Sequence, residues 1–331
     1  MRRRNVTDIV LDVGRRPYAW INNVRMMMGP EDGVLSTCDL ERILARTSPL
    51  CQDNRGGLVG TLHRVSAIRN RQNDVVGATL RFGRHIAGVA AIVADLLHSS
   101  DKSILFVGEP GCGKSTVIRD AACELARRQN VLVVDTSCEL GGPADVPHAC
   151  LGLARRMQVP SLALQASVMV ECVQNHTPSV IVVDEIGRPS EVEAARTCKM
   201  RGVRIIASAH GDLAGLVRNK ELADLVGGVA LVTLSDIEAR AESRRRGRSS
   251  ELRKTRPERK TEPIFDIVVE LKRDSPHSWR VVLDVARAVD TILVSGRYAV
   301  QHRRRSAEGG PIAVSHGTAD VPHAQWMSDY F

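Results

Sequence analysis

A chain of 331 residues with 43% hydrophobic and 25% charged residues has the composition of a globular protein of about two domains, which excludes a disordered or fibrous chain. Aromatics make up only 3%, which excludes a nucleic-acid surface built mainly on base stacking, and the longest apolar runs are too short to cross a bilayer. The formal charge is +8, and the eight cysteines form no C-x-x-C pair, so a zinc site or disulfide framework is not expected.

Residues 1–83 read as a small α/β domain. A loosely alternating strand is predicted at 6–13 and a capped helix at 37–44. Two alternating runs within 58–82, separated by Asn70-Arg71-Gln72-Asn73-Asp74, predict a hairpin. The core is expected over 84–239, opening with a helix at 84–98. Strands are expected at 103–107, 130–136, 179–184, 203–209 and 228–234. Helices are expected between them at about 114–128, 162–175, 190–201 and 212–226. Continuous Val/Ile/Leu strands alternating with helices imply a parallel sheet covered on both faces. A basic linker follows at 240–262, in which residues 240–260 hold ten Lys/Arg against three Glu and so carry most of the net charge. A closing hairpin and helix are expected at 263–295, and a flexible tail at 296–331.

The chemistry concentrates after the strand at 103–107. There Gly108-Glu109-Pro110-Gly111-Cys112-Gly113-Lys114-Ser115-Thr116 fits G-x-x-x-x-G-K-[ST] in its required setting of strand, turn and helix. The glycines let backbone N–H groups converge on phosphate oxygens at the positive end of a helix. Lys114 is expected to reach the β- and γ-phosphates and Ser115 to hold Mg²⁺. Seventy residues after Lys114, the apolar strand at 179–184 delivers Asp184 as a second Mg²⁺ group and Glu185 as the residue that orients or deprotonates water. The strand ending at Ala209-His210-Gly211 is expected between the Lys114 and Asp184 strands, aiming His210 at the γ-phosphate. Asp135 and Glu139 are a further acidic group, with a loop-capping role open for Asp135. Arg69, Arg71, Arg81, Arg84, Arg155 and Arg156 are candidates to stabilise transition-state charge.

The text around these motifs resembles a known family. Asp53-Asn54-Arg55-Gly56-Gly57, the stretch from Gly60-Thr61-Leu62-His63-Arg64 to Ile68-Arg69-Asn70-Arg71, Val134-Asp135-Thr136-Ser137-Cys138-Glu139, Asp145-Val146-Pro147-His148, Ala154-Arg155-Arg156-Met157-Gln158-Val159-Pro160, Asp184-Glu185-Ile186-Gly187 and Ala209-His210-Gly211 are similar to AAA-type ATPases of plastids and cyanobacteria. Those are related to the stage III sporulation protein AA ATPase. The resemblance spans roughly residues 5–295. It implies a RecA-like P-loop NTPase with a core similar to the secretion-motor ATPases, forming homo-oligomeric rings and using ATP and Mg²⁺. Asp135/Glu139, Asp184/Glu185 and His210 fall at the places of that group's acidic box, Walker B strand and histidine box. Some members carry a C-terminal single-strand nucleic-acid module with an Arg-x-x-x-His pattern; the run from Arg297 to His302 has the wrong spacing. The resemblance implies a plastid, whereas the N-terminus, with no secretory or transit pattern, reads as cytoplasmic.

The expected function is therefore Mg²⁺-dependent ATP hydrolysis, with Lys114, Glu185 and His210 carrying the chemistry. A GTPase is one alternative, because Asp184 to Gly187 also fits D-x-x-G, although Asn219-Lys220 is followed by Glu221-Leu222 and not by a guanine-reading Asp. A small-molecule kinase is another, without a visible acceptor or lid pattern. The third is a nucleic-acid-binding protein switched by ATP, with residues 240–260 contacting phosphates without reading sequence.

Overall fold

Strands with every residue buried mark where the chain is covered on both faces: Ile104–Gly108, Val131–Asp135, Val180–Val183 and Ile267–Leu271. The computed structural model describes residues 6–50, 54–240, 254–306 and 310–321. In chain order these form β1 (Val6–Asp12), β2 (Tyr18–Ile21), β3 (Val24–Met27), α1 (Thr37–Leu44), β4 (Arg55–Gly57), β5 (Arg64–Arg69) and β6 (Val75–Arg81). Next come α2 (Ala94–His98), β7 (Ile104–Gly108), α3 (Lys114–Ala126), β8 (Val131–Asp135), β9 (Arg155–Gln158), α4 (Gln165–His176), β10 (Val180–Val183), α5 (Pro189–Met200), β11 (Arg204–His210) and α6 (Leu213–Arg218). The remainder is β12 (Val229–Thr233), β13 (Thr255–Arg259), β14 (Ile267–Leu271), β15 (Ser278–Val282), α7 (Val285–Ser295), β16 (Arg297–Arg305) and β17 (Ile312–Asp320). Among the described residues no helix is long and apolar enough to cross a membrane.

The chain divides into two compact units, one of Met1–Ala91 with Ser115–Asp184 and one of Ile92–Lys114 with Glu185–Phe331. The first unit holds an antiparallel sheet in the order β3-β2-β1-β6-β5-β4. Leu11, Val65 and Ala78 of this sheet pack with Leu40 of α1 in one buried cluster. That helix begins where sequence predicts, because Ser36 and Asp39 form a reciprocal capping box. The same unit contains β10, β8 and β9 in parallel register. In the second unit β7 pairs in parallel with both β11 and β14, and β14, β15, β16 and β17 continue antiparallel. Phe106 of β7 meets Trp279 of β15 edge to face, with ring centroids 6.5 Å apart.

The structure corrects several expectations. The helix expected at 84–98 is a 3-10 turn (Val89–Val93) followed by the short α2. The Asp120 carboxylate accepts the N–H groups of Gly88 and Ala90, holding that approach outside an α-helix. The helix expected at 212–226 breaks after α6, where the Asn219 side chain accepts the N–H groups of Glu221 and Leu222. The strand expected at 228–234 in the parallel sheet is β12, paired antiparallel with β13 in a separate ribbon. Gly227 and Gly228 precede it with φ of +107° and +64°, turning the chain away from a strand path. The basic linker therefore ends in a strand, β13; residues 241–253 of it lie outside the described residues. The polar strand β9 was not expected. Within the tail expected to be flexible at 296–331, Arg297–Arg305 and Ile312–Asp320 form β16 and β17, paired from Arg297↔Asp320 to Arg305↔Ile312; residues 307–309 and 322–331 of it lie outside the described residues. What hides this strand in the sequence is a buried charge: Arg303, 4% exposed, donates to Asp95 and to the carbonyl of Ile92.

Candidate nucleotide site

In the second unit β7 delivers the loop from Gly108 to Lys114. At Gly108 a Cβ would lie 2.6 Å from both the Leu271 carbonyl oxygen of β14 and the Cys112 thiol, so only glycine fits. Gly111 and Gly113 adopt φ of +76° and +101°, and a Cβ on either would meet nothing within 4 Å. Backbone freedom therefore selects glycine at those two positions, on a side of the loop where the chain leaves room. Glu109 and Pro110 are exposed at the loop tip, and Cys112 is a buried free thiol.

Lys114 folds back over this loop. Its Nζ donates to the carbonyls of Gly108 (2.8 Å) and Glu109 (3.0 Å) and lies 3.3 Å from His210 Nδ1 at the end of β11. On the far side of the imidazole, His210 Nε2 is 3.1 Å from Glu185 Oε1. One tautomer, assigned from these partners, serves both contacts: Nδ1 accepts from the ammonium and the Nε2–H donates to the carboxylate. Lys114 is 7% exposed, whereas the side chains of His210 and Glu185 are about half exposed. The β7–β11 pairing sets His210 opposite Gly108 in register, which is why a lone strand-end histidine meets the loop lysine.

In the first unit Ser115 Oγ donates to Glu139 Oε2 at 3.1 Å, and Glu139 Oε1 accepts from Arg64 Nη1 at 2.8 Å. Arg119, behind Ser115 on α3, donates to the carbonyls of Glu139, Leu140 and Arg84 and so fixes the loop after β8. Thr116 follows in the same helix turn, partly buried. Asp184, the residue after β10, is 6% exposed. Asp135 takes the loop-capping role: it is fully buried and accepts from the N–H groups of Leu140 (3.2 Å) and Gly141 (2.8 Å). Burial pushes its carboxyl above the ordinary range, and those two N–H groups oppose the shift.

The candidate arginines divide. Arg69 binds Asn54 and the Asn73 carbonyl, Arg81 pairs with Asp8, Arg84 donates to the Val6 carbonyl, and Arg156 donates to the carbonyls of Gly142 and Ala144. These four brace the first unit, while Arg71 and Arg155 are exposed. Arg64, which charge and composition did not single out, is tied by its side chain to the motif residue Glu139. Its sequence signal is its place, at the start of β5, in the family-like stretch from Gly60 to Arg71.

The pilus retraction motor PilT, solved with bound ADP, superposes on this chain with a TM-score of 0.55 at 14% identity, covering 97% of this chain and 81% of that one. Together with the glycine loop between β7 and α3, that likeness defines the class: an α/β, RecA-like P-loop NTPase fold. The sporulation stage III protein AA family matches residues 59–234, and the chain belongs to that family. Its relatives include an uncharacterized protein, ycf45, of Porphyra purpurea, 41% identical over 93% of this chain and 53% of that protein. Protein SEEDLING PLASTID DEVELOPMENT 1 of Arabidopsis thaliana is 40% identical over 96% of this chain and 43% of that protein. The chain thus spans about half the length of these two relatives.

Proposed function

We propose that this chain binds ATP with Mg²⁺ and hydrolyses it. The observation that carries this reading is the chain of contacts from the loop carbonyls through Lys114 and His210 to Glu185: a cation, a polar relay and a half-exposed carboxylate at the mouth of a glycine loop. The donors suit the group. Mg²⁺ keeps much of its water and takes its other ligands from phosphates and one or two protein oxygens, here Ser115 and, through water, Asp184. When bound it neutralises phosphate charge.

The residues of the chain do the rest. The N–H groups of Gly111, Gly113 and Lys114 grip the phosphates, with the Lys114 ammonium exchanging the Gly108 and Glu109 carbonyls for phosphate oxygens. Glu185 orients or takes a proton from the attacking water, and His210, bound to both residues, reports on the γ-phosphate. The class supports action as a homo-oligomer in which a neighbouring copy supplies charge-stabilising arginine, and the names of the relatives support a plastid setting. The work that hydrolysis drives is exerted on a macromolecular partner.

Calorimetry and phosphate release test the reading together. Wild-type protein is expected to take up ATP only with Mg²⁺ and to release phosphate without an added acceptor, favouring ATP over GTP. Failure to bind adenine nucleotide would sink it. Nucleic-acid binding through residues 240–260 is tested by titrating salt: each B-DNA phosphate contact predicts a loss of about 0.9 log units in affinity per log unit of salt.

A further inference from the structure

Glu270 of β14 is 4% exposed, and no role above uses it. It stands in register opposite Val107 of β7, immediately before the loop glycine. Its Oε1 accepts the N–H of Leu213, the first residue of α6, at 3.0 Å, and the Tyr298 hydroxyl of β16 donates to the same oxygen at 3.5 Å. Its Oε2 lies 3.2 Å from Arg280 Nε in an ion pair but makes no hydrogen bond. A carboxylate kept in a strand covered on both faces is costly, and an apolar residue would suit the sheet better.

The Leu213 bond shows what the charge secures. Leu213 follows directly on the turn His210-Gly211-Asp212, so its N–H fixes how far that turn stands from the strand flanking β7. Asp212 completes the turn by accepting the Gly215 N–H at 2.7 Å. We propose that Glu270 is a positioning residue for His210, clamping the turn so that the imidazole stays between Lys114 and Glu185. Arg280 and Tyr298 hold the clamp from the far side, so the antiparallel pair β15 and β16 shares in setting the His210 position.

The proposal rests on the ATPase reading, and full-length variants separate the two. Glu270→Met removes the acceptor at similar volume, whereas Glu270→Gln keeps an oxygen for Leu213. Both are expected to bind Mg·ATP with wild-type Kd. Glu270→Met should lose tenfold or more in kcat while Glu270→Gln stays within about threefold, and Glu270→Met combined with His210→Ala should be no slower than His210→Ala alone. Multiplicative losses, or wild-type kcat in a folded Glu270→Met protein, overturn the proposal. If Glu270→Met does not fold, Leu213→Pro deletes the same N–H at a first helical position that accepts proline, and the same rates apply. If the wild-type protein proves not to hydrolyse ATP, the ATPase reading falls by itself. The imidazole ¹⁵N resonances of His210 then decide: a shift in Glu270→Met, absent in Glu270→Gln, supports the clamp, and unchanged resonances in both refute it.

Discussion

Asp135 and Glu185 make an instructive pair, because each is an acid placed by an apolar, fully buried parallel strand. Asp135 is itself buried, and both of its oxygens accept backbone N–H groups. Glu185 is half exposed, with one oxygen on the His210 imidazole. The difference is one of availability. A carboxylate whose lone pairs are saturated by its own loop holds that loop in shape, whereas one facing solvent and a histidine can exchange a proton with water. Strand position alone does not separate the two; burial does.

Variants sharpen or break this contrast, beginning with the loop that Glu185 is proposed to serve. Lys114→Ala is expected to abolish nucleotide uptake, read by calorimetry, and retained binding would detach the glycine loop from phosphate recognition. Glu185→Gln should bind ATP normally while turnover falls roughly 10²- to 10⁴-fold, the range for losing a general base. Near-normal phosphate release in that variant would place Glu185 with Asp135 as a structural acid. Asp135→Ala should instead cost about 3 kcal/mol in chemical denaturation, because two buried N–H donors lose their acceptor, with ATP turnover retained below the melting transition. Lost turnover without lost stability would reverse the assignment.

The smallest effect is a slope. Burial raises the carboxyls of Asp135 and of Glu191, which accepts the Gly187 and Arg188 N–H groups. A raised acid holds its proton longer in the folded chain, so its contribution is fully present below the ordinary carboxylate range and fades as pH rises through the folded value. Stability from each group should therefore decline with rising pH in that window, by at most about 1.4 kcal/mol per pH unit. Asp135→Asn should flatten its share of the slope in melting curves taken across the acid range; an unchanged slope would mean that Asp135 titrates as an ordinary carboxyl.

The parts of the molecule legible from sequence are those where local pattern and environment agree. The strands β7, β8 and β10 are uninterrupted apolar runs, α1 carries its cap, and the glycine loop has strand and helix on either side. The illegible parts are those where a tertiary partner pays for an unfavourable local choice. β16 reads as a tail because Arg303, Arg304 and Arg305 look solvated, and nothing nearby announces that Arg303 meets Asp95. The Arg64–Glu139–Ser115 chain joins residues distant in sequence, so no window contains it. Glu270 gave no sequence signal either, being a single acid inside an otherwise apolar strand.

The β7 strand gains its β14 neighbour late. The Ser103 N–H, just before β7, is held by the Asp266 carboxylate across a separation of 163 residues. At about 5–20 residues per second, a ribosome needs roughly 10–30 s to supply that neighbour, and longer before Arg303 emerges. The nascent glycine loop thus waits beside a strand whose second edge is unpaired. Correct assembly in the cell calls for guarding that edge until translation of this region is complete.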